Sequence, residues 1–120
     1  MAIRSKTVEN GRIGIIEVRG SLIGDQTTDE FRAEVNDLLE QGTKFLIIDL
    51  HRLDYITSSG IGALIAAHTS FSRNEGAVKL VGVTKGVQNI FALTKLIDVF
   101  DIYEEIEEAV ESFYKNHKLN

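Results

Sequence analysis

Residues 55 to 68 read "YITSSGIGALIAAH" and place three consecutive hydroxyl side chains in front of an apolar helical run. The hydroxyls belong to Thr57, Ser58 and Ser59, and a Gly60-x-Gly62 pair follows them. Helical spacing then predicts one shared apolar face, made of Ile61, Leu64, Ile65, His68 and Phe71. The alanines at 63, 66 and 67 keep this helix narrow enough to lie closely on a sheet. The stretch therefore predicts a strand-to-helix junction where hydroxyl groups gather.

The segments on either side of this junction alternate between strand and helix patterns. Ile3–Val8 and Ile13–Val18 are predicted to pair antiparallel, because Asn10-Gly11 between them is a strong hairpin signal. The run "KFLIIDL" is typical of a central strand buried on both faces, and "AVKLVGV" and "VFDIY" predict two more strands. The resulting order, β-β-α-β-α-β-α-β-α, predicts an α/β fold. Its single open mixed β-sheet is mostly parallel, with right-handed crossovers and helices packed on it.

The other helices have recognisable boundaries or faces. Thr27 and Glu30 fit a capping box at the start of the first helix, and Gly42 is expected to close it. The last two helices carry apolar residues at helical spacing: Val87, Ile90, Phe91 and Thr94 in one, and Ile106, Ala109, Val110 and Phe113 in the other.

The composition excludes several classes of protein. The 120 residues suit a single domain over 1–120, and their net charge of −5 comes without the basic stripe of a nucleic-acid binder. The absence of cysteine excludes disulfides and thiolate metal sites. No apolar run has the length of a membrane span, and the N-terminus lacks a signal-peptide core. We therefore expect a cytoplasmic domain that binds proteins or small molecules, with no nucleic acid and no direct membrane insertion.

The hydroxyl cluster does not match the catalytic or phosphate-binding patterns that resemble it. A nucleophilic serine lacks the leading glycine of G-x-S-x-G, and none of the three histidines follows a strand end as a triad base does. The Gly60-x-Gly62 pair lacks the third glycine and the acid of a dinucleotide site, and residues 82–86 lack the spacing of a phosphate-binding P-loop. A phosphoacceptor receiver needs an acid pair after its first parallel strand, and residues 19–21 do not supply one.

Two interpretations of the cluster remain open together. Thr57 or Ser58 is expected to cap the helix by satisfying its free backbone amides. One hydroxyl suffices for a cap, and a second could be phosphorylated, since a phosphate at a helix N-terminus is compatible with the fold. Segments 21–28, 54–59 and 84–87 all lie at predicted carboxyl ends of strands, where open α/β sheets bind their ligands. A phosphate there would oppose a docked partner.

A family resemblance rests on the same residues. The runs "IIDLHRLDYITSSGIGALIAAH" and "VKLVGVTKGVQNIFALTKLIDVFDIYEEIEEAV", together with "VRGSL", resemble the STAS domain of bacterial anti-sigma factor antagonists over nearly the whole chain. The resemblance implies an antagonist that binds an anti-sigma factor when unphosphorylated and so releases a sigma factor. It also implies a serine kinase, often the anti-sigma factor itself, that ends this binding, and a phosphatase that reverses the change. The ATP would belong to the kinase, so the chain itself is expected to need no cofactor and no metal and to be no enzyme.

Carried over by position, the resemblance assigns the phosphate to Ser58, with Ser59 and Thr57 as rivals. It places the partner-binding surface at Ser21, Ile23, Asp25, Asp54, Thr57, Ser58, Ser59, Gly60 and Lys85. The chain departs from the family pattern where Thr57 replaces an aspartate and where Ser21 and Ile23 replace two acids. Two alternatives stay open: a phosphorylation-independent STAS adaptor, for example of a lipid or anion transport system, and a small-ligand or nucleotide-binding module.

Overall fold

The computed structural model describes residues 2–94 and 99–117, with the backbone alone described at 91–94. Strands and helices follow one another along these residues in this order: β1 Ile3–Val8, β2 Ile13–Val18, β3 Gly20–Leu22, α1 Gln26–Glu40, β4 Phe45–Asp49, β5 Leu53–Ile56, α2 Ser58–Arg73, β6 Ala77–Val81, α3 Lys85–Thr94, β7 Asp101–Tyr103 and α4 Ile106–Asn116. Five strands form one sheet in the order β1-β2-β4-β6-β7, in which only the β1–β2 pair is antiparallel. The predicted α/β class and mostly parallel sheet are confirmed.

A second, smaller sheet was not predicted. β3 and β5 pair in parallel outside the five-stranded sheet, with Ser21 opposite Tyr55 and Leu22 opposite Ile56. The pairing skips Asp54, which makes a bulge where the register shifts. The strands have three and four residues, too few for an alternating pattern to stand out. This short pair carries the junction at which α2 begins.

The helices cover both faces of the large sheet. Helices α1 and α2 pack on one face with the larger core cluster, which includes Phe31, Leu64 and Phe71. Helix α4 packs on the other face, where Ala109 and Phe113 join a second cluster. The predicted central strand β4 contributes to both, because Leu46 and Ile48 face the first cluster while Ile47 faces the second. The predicted inward positions Phe91 and Thr94 lie outside the described side chains.

The start of α1 corrects one prediction. Asp25, not Thr27, is the N-cap residue, and its carboxylate accepts a hydrogen bond from the Thr27 backbone amide at 3.2 Å. The predicted capping box of Thr27 and Glu30 was wrong because a stronger capping side chain stands two residues earlier. The helix ends as predicted: Gly42 has φ 87°, and its amide and that of Thr43 bond back into the last turn at 3.0 Å each.

Candidate functional site

The first turn of α2 is fixed against β3 by the backbone. The amide of Thr57 donates to the carbonyl oxygen of Leu22 at 3.0 Å. Gly60, the third residue of the helix, lies so close to β3 that an added Cβ would stand 2.2 Å from the same oxygen. Leu22 and Ile56 are 0% and 1% exposed, so the two strands and the helix start share one core contact. The junction is therefore built by close packing and a backbone hydrogen bond between β3 and the start of α2.

The three hydroxyl residues occupy different environments at this junction. Ser58 is the first residue of α2 and is exposed, and no hydrogen bond of its side chain is found among residues 2–94 and 99–117. Ser59 is exposed too but faces the loop after β3, where an added Cβ at Gly24 would stand 2.9 Å from its own Cβ. Thr57 is half-buried, with its hydroxyl 3.5 Å from the carbonyl oxygen of Leu22.

Thr57 occupies the predicted capping position of α2, but its side chain does not make the predicted capping hydrogen bond. Thr57 is the N-cap residue of α2, and its carbonyl accepts the first helical bond from Ile61 at 2.9 Å. Its side chain makes no capping hydrogen bond. The prediction that Thr57 or Ser58 is the N-cap is therefore confirmed for the position of Thr57, but the predicted hydrogen bond from its side chain to the free amides is absent. The hydroxyl is instead directed to Leu22 on the neighbouring strand.

Most of the predicted partner-binding residues come together around this junction. Ser21 and Ile23 lie in and after β3, Asp54 lies at the bulge of β5, and Asp25 caps α1 directly after the β3 loop. Lys85 is the first residue of α3, a helix that contacts β5. It is exposed, and no ion pair joins it to another residue in the described part of the chain.

One surface residue was missed from the sequence. Tyr55 is 57% exposed and stands opposite Ser21 in the β3–β5 register. Its strand reads Leu53 to Ile56 with the two end residues buried and the two middle residues exposed. Alternation from Ile56 predicts an outward Tyr55, whereas alternation from Leu53 predicts an inward one, because the register shifts at Asp54.

A separate open cavity of about 640 Å³ lies at the carboxyl ends of the large sheet, lined by none of the nine predicted surface residues. His51 stands at its wall, with Nδ1 2.6 Å from Oδ1 of Asp49 and Nε2 4.0 Å from Oε1 of Glu105. The hydrogen bond to Asp49 is the main cause that raises the pKa of His51. Gly82 is required beside it, because an added Cβ would stand 2.3 Å from the imidazole.

Comparison with known proteins identifies the family. Residues 4–109 match the family described as STAS domain, which is most of the chain. The chain belongs to the STAS family. An anti-sigma-B factor antagonist of Staphylococcus aureus is 22% identical over 107 residues, which are 89% of this chain and 98% of that protein.

Solved STAS structures have the same fold. The phosphorylated form of the Bacillus cell fate determinant SpoIIAA superposes with a TM-score of 0.74 at 21% identity, covering 92% of this chain and 97% of that one. A sulfate transporter family protein from Wolinella succinogenes superposes with a TM-score of 0.78 at 20% identity, covering 95% and 93%. At such identities the superpositions establish the fold, which antagonists and a transporter-family protein share.

Two further observations concern the described residues of this STAS chain. None of their helices combines the length and apolar character that a membrane crossing requires. No group of three or more histidine, cysteine or acidic side chains in residues 2–94 and 99–117 is arranged to hold a metal ion.

Proposed function

We propose that this STAS protein is an anti-sigma factor antagonist that acts in the cytoplasm and is switched by phosphorylation of Ser58. Unphosphorylated, it binds an anti-sigma factor and so frees a sigma factor. A serine kinase, identical with the anti-sigma factor in the simplest arrangement, adds the phosphate and ends the binding, and a phosphatase restores it. The chain itself catalyses nothing and needs no cofactor. The antagonist names among its relatives support the binding role.

The environment of Ser58 carries the choice of phosphorylation site. Of the three neighbouring hydroxyl residues, Ser58 is exposed, opens α2 and has no side-chain hydrogen bond among the described residues. Ser59 is exposed as well, but it packs close to Gly24, where an added Cβ would stand 3.2 Å from its Oγ, and Thr57 is half-buried with its hydroxyl 3.5 Å from the Leu22 carbonyl oxygen. A kinase must bring the acceptor oxygen into its own active site, which favours the hydroxyl with no competing contact. Ser58 is therefore the acceptor that the geometry favours over Ser59 and Thr57.

A phosphate on Ser58 would change the surface without changing the fold. It adds about −1.5 to −2 charges at a helix N-terminus, where free amides and the helix dipole accept negative charge. The phosphate also adds bulk at the exposed start of α2, on the surface that would dock the partner, so it opposes docking sterically. A loss of about 3 kcal/mol in docking weakens binding by more than a hundredfold. The switch then needs no movement of the backbone.

The test is affinity capture from the native cell lysate with four baits: wild type, Ser58→Ala, Ser58→Asp and Ser72→Asp. Ser72 is exposed near the other end of α2, so its variant controls for added charge on the same helix. We expect wild type, Ser58→Ala and Ser72→Asp to capture a kinase-type anti-sigma factor, and Ser58→Asp to lose it. Incubation of the captured complex with ATP should phosphorylate wild type but not Ser58→Ala.

Other results would replace this function with one of its alternatives. Capture of a transport complex by all four baits would identify a phosphorylation-independent adaptor. A ligand-binding module would instead show itself in a thermal shift with nucleotides, because a ligand at 100 times its Kd adds about 2.7 kcal/mol of stability.

A further inference from the structure

Two exposed apolar side chains stand at the β3–β5 junction. Ile23 is 42% exposed and Tyr55 is 57% exposed, and clustered exposed apolar side chains are typical of interaction sites. The other large apolar side chains exposed in the described residues are Val99 and Tyr114, at 39% and 36%. Val99 precedes β7 and Tyr114 lies in α4, so neither belongs to the two-stranded sheet.

The strand register brings Ile23 and Tyr55 onto one outward face. Leu22 and Ile56 are opposite each other and both buried, so the residues on either side of them along each strand point outward. Tyr55 stands opposite Ser21, and Ile23 directly follows Leu22, the last residue of β3. Strand spacing and rise put their Cα atoms roughly 8 Å apart, a diagonal that a tyrosine side chain can span. We call Ile23 and Tyr55 the apolar pair.

The backbone holds the apolar pair in place. The carbonyl of Leu22 accepts from the Thr57 amide at 3.0 Å, and the amide of Gly24 donates to Oγ1 of the buried Thr28 at 2.9 Å. Ile23 is therefore fixed by hydrogen bonds on both sides. A contact residue that is ordered before binding loses less conformational entropy in the complex, which raises the affinity that a given area provides.

The surroundings of the apolar pair indicate what would cover it. Asp25, two residues after Ile23, and Asp54, directly before Tyr55, are both exposed, and neither forms an ion pair with another residue in the described part of the chain. An apolar centre with a charged rim is the arrangement of a protein interface, in which the centre supplies affinity and the rim directs association. The complementary surface is an apolar patch flanked by lysine or arginine.

We propose that the apolar pair is the anchor by which this chain selects its anti-sigma factor, through an apolar patch of the partner flanked by basic residues. This inference rests on the proposed function, because the partner is the kinase-type anti-sigma factor. Ser58 follows Thr57, the residue beside Ile23, so a phosphate there stands next to the anchor. Ile23 and Tyr55 determine which partner binds, whereas Ser58 determines when it binds.

The test is calorimetric titration of the purified partner with wild type, Ile23→Asp, Tyr55→Ala and the control Val99→Asp. Val99 is as exposed as Ile23, so its variant reports the effect of an acid on an unrelated apolar position. We expect Ile23→Asp and Tyr55→Ala each to weaken binding by at least about 30-fold, as buried interface anchors do, and Val99→Asp to bind within about threefold of wild type. Burial of the pair should also give wild-type binding a negative heat-capacity change that Tyr55→Ala reduces.

The outcomes separate the anchor from the function. Circular dichroism first checks that each variant is folded. We expect all of them to fold, because the substituted side chains are exposed. If Ile23→Asp and Tyr55→Ala bind the partner as tightly as wild type does, the apolar pair is not the anchor, and the proposed antagonist function is unaffected. Absence of wild-type binding to any anti-sigma factor would overturn both. A further variant, Asp54→Asn, should change the salt dependence of association more than the affinity at high salt, because Asp54 belongs to the rim.

Discussion

The Nζ atom of Lys79 lies 2.8 Å from Oγ of Ser112, so a fully buried lysine of β6 is held by helix α4 across the core. Asp101 Oδ2 stands 3.6 Å from the same ammonium, and the rings of Phe113 and Tyr103 lie 4.9 and 5.3 Å from it. A buried ammonium is costly unless its donors are satisfied. Ser112 is therefore a polar position on which the satisfaction of this buried charge depends.

Replacement of Ser112 by alanine should destabilise the protein by about 2 kcal/mol, because it removes the closest acceptor of a buried charge. Lys79→Met should cost much less, since an apolar side chain of similar length removes the charge together with its need for acceptors. In the double variant the Ser112→Ala penalty should nearly vanish. Urea unfolding of the four proteins measures this coupling, and simple additivity of the two substitutions would contradict it.

Two glycines of α2 should respond in opposite directions to alanine. A Cβ at Gly60 would stand 2.2 Å from the Leu22 carbonyl oxygen and 2.7 Å from the Leu22 Cβ, and neither the strand nor the helix can move freely. We expect Gly60→Ala to cost at least about 2 kcal/mol. Gly62 has nothing within 4 Å, so Gly62→Ala should stabilise the helix by up to about 1 kcal/mol. Thermal unfolding measures both variants. Equal changes in Tm for Gly60→Ala and Gly62→Ala would contradict the close approach of Gly60 to β3.

Aspartate at position 57 should stabilise the fold. Thr57 is the N-cap of α2 but provides no side-chain capping bond, and its hydroxyl contact with Leu22 is long at 3.5 Å. A carboxylate can accept from the free amides, so Thr57→Asp should add about 0.5 to 1 kcal/mol in chemical denaturation. Thr57→Asn separates hydrogen bonding from charge and should give a smaller gain that salt does not reduce. A destabilised Thr57→Asp would mean that the threonine hydroxyl matters more than the missing cap.

The pH dependence of stability should carry opposite contributions from two histidines. The hydrogen bond with Asp49 raises the pKa of His51, so its contribution is complete below about pH 6.5 and is lost as the pH rises through the folded-state pKa. Burial, followed by the charge of Lys79, lowers the pKa of His117, so its contribution is complete above about pH 6.5 and is lost as the pH falls. The two residues lie at opposite ends of α4, near Glu105 and after Asn116.

Urea unfolding at pH 5.5 and pH 8.5 measures both contributions. His51→Gln should cost more stability at the acidic pH than at the alkaline one, and His117→Gln should show the reverse. The groups facing His51 are Asp49, Glu105 and the backbone of Glu104, all of which favour the imidazolium. A penalty for His51→Gln that does not change with pH would show that this imidazole acts by shape alone.

Long periodic segments of this chain could be predicted from sequence, and short ones could not. The hairpin of β1 and β2, the central strand β4 and the inward face of α4 follow from turn chemistry and apolar spacing. The β3–β5 pair could not be predicted, because strands of three and four residues with a bulge have no clear period. Its omission hid the outward face of Tyr55. The start of α1 was misplaced because Asp25 and Thr27 are both good caps, and only the fold decides between them.

The candidate site, like the fold, could be predicted from sequence only in part. The gathering of Ser21, Ile23, Asp25 and Asp54 beside the hydroxyls could be expected, because carboxyl ends of strands meet at one edge. The different environments of Thr57, Ser58 and Ser59 could not, because they depend on contacts with Leu22 and Gly24 from a distant part of the chain. Adjacent hydroxyls in a sequence have no distinguishing property until such neighbours are known.

The alternation along β3 and β5 also has an evolutionary consequence. Leu22 and Ile56 face the core, whereas Ser21, Ile23, Tyr55 and Thr57 are partly or fully open to solvent. Heritable changes at the outward positions can alter recognition while the packing that supports them stays intact. After gene duplication, two such domains in one cell could therefore diverge in the partners they bind by a few substitutions, while both keep the same core.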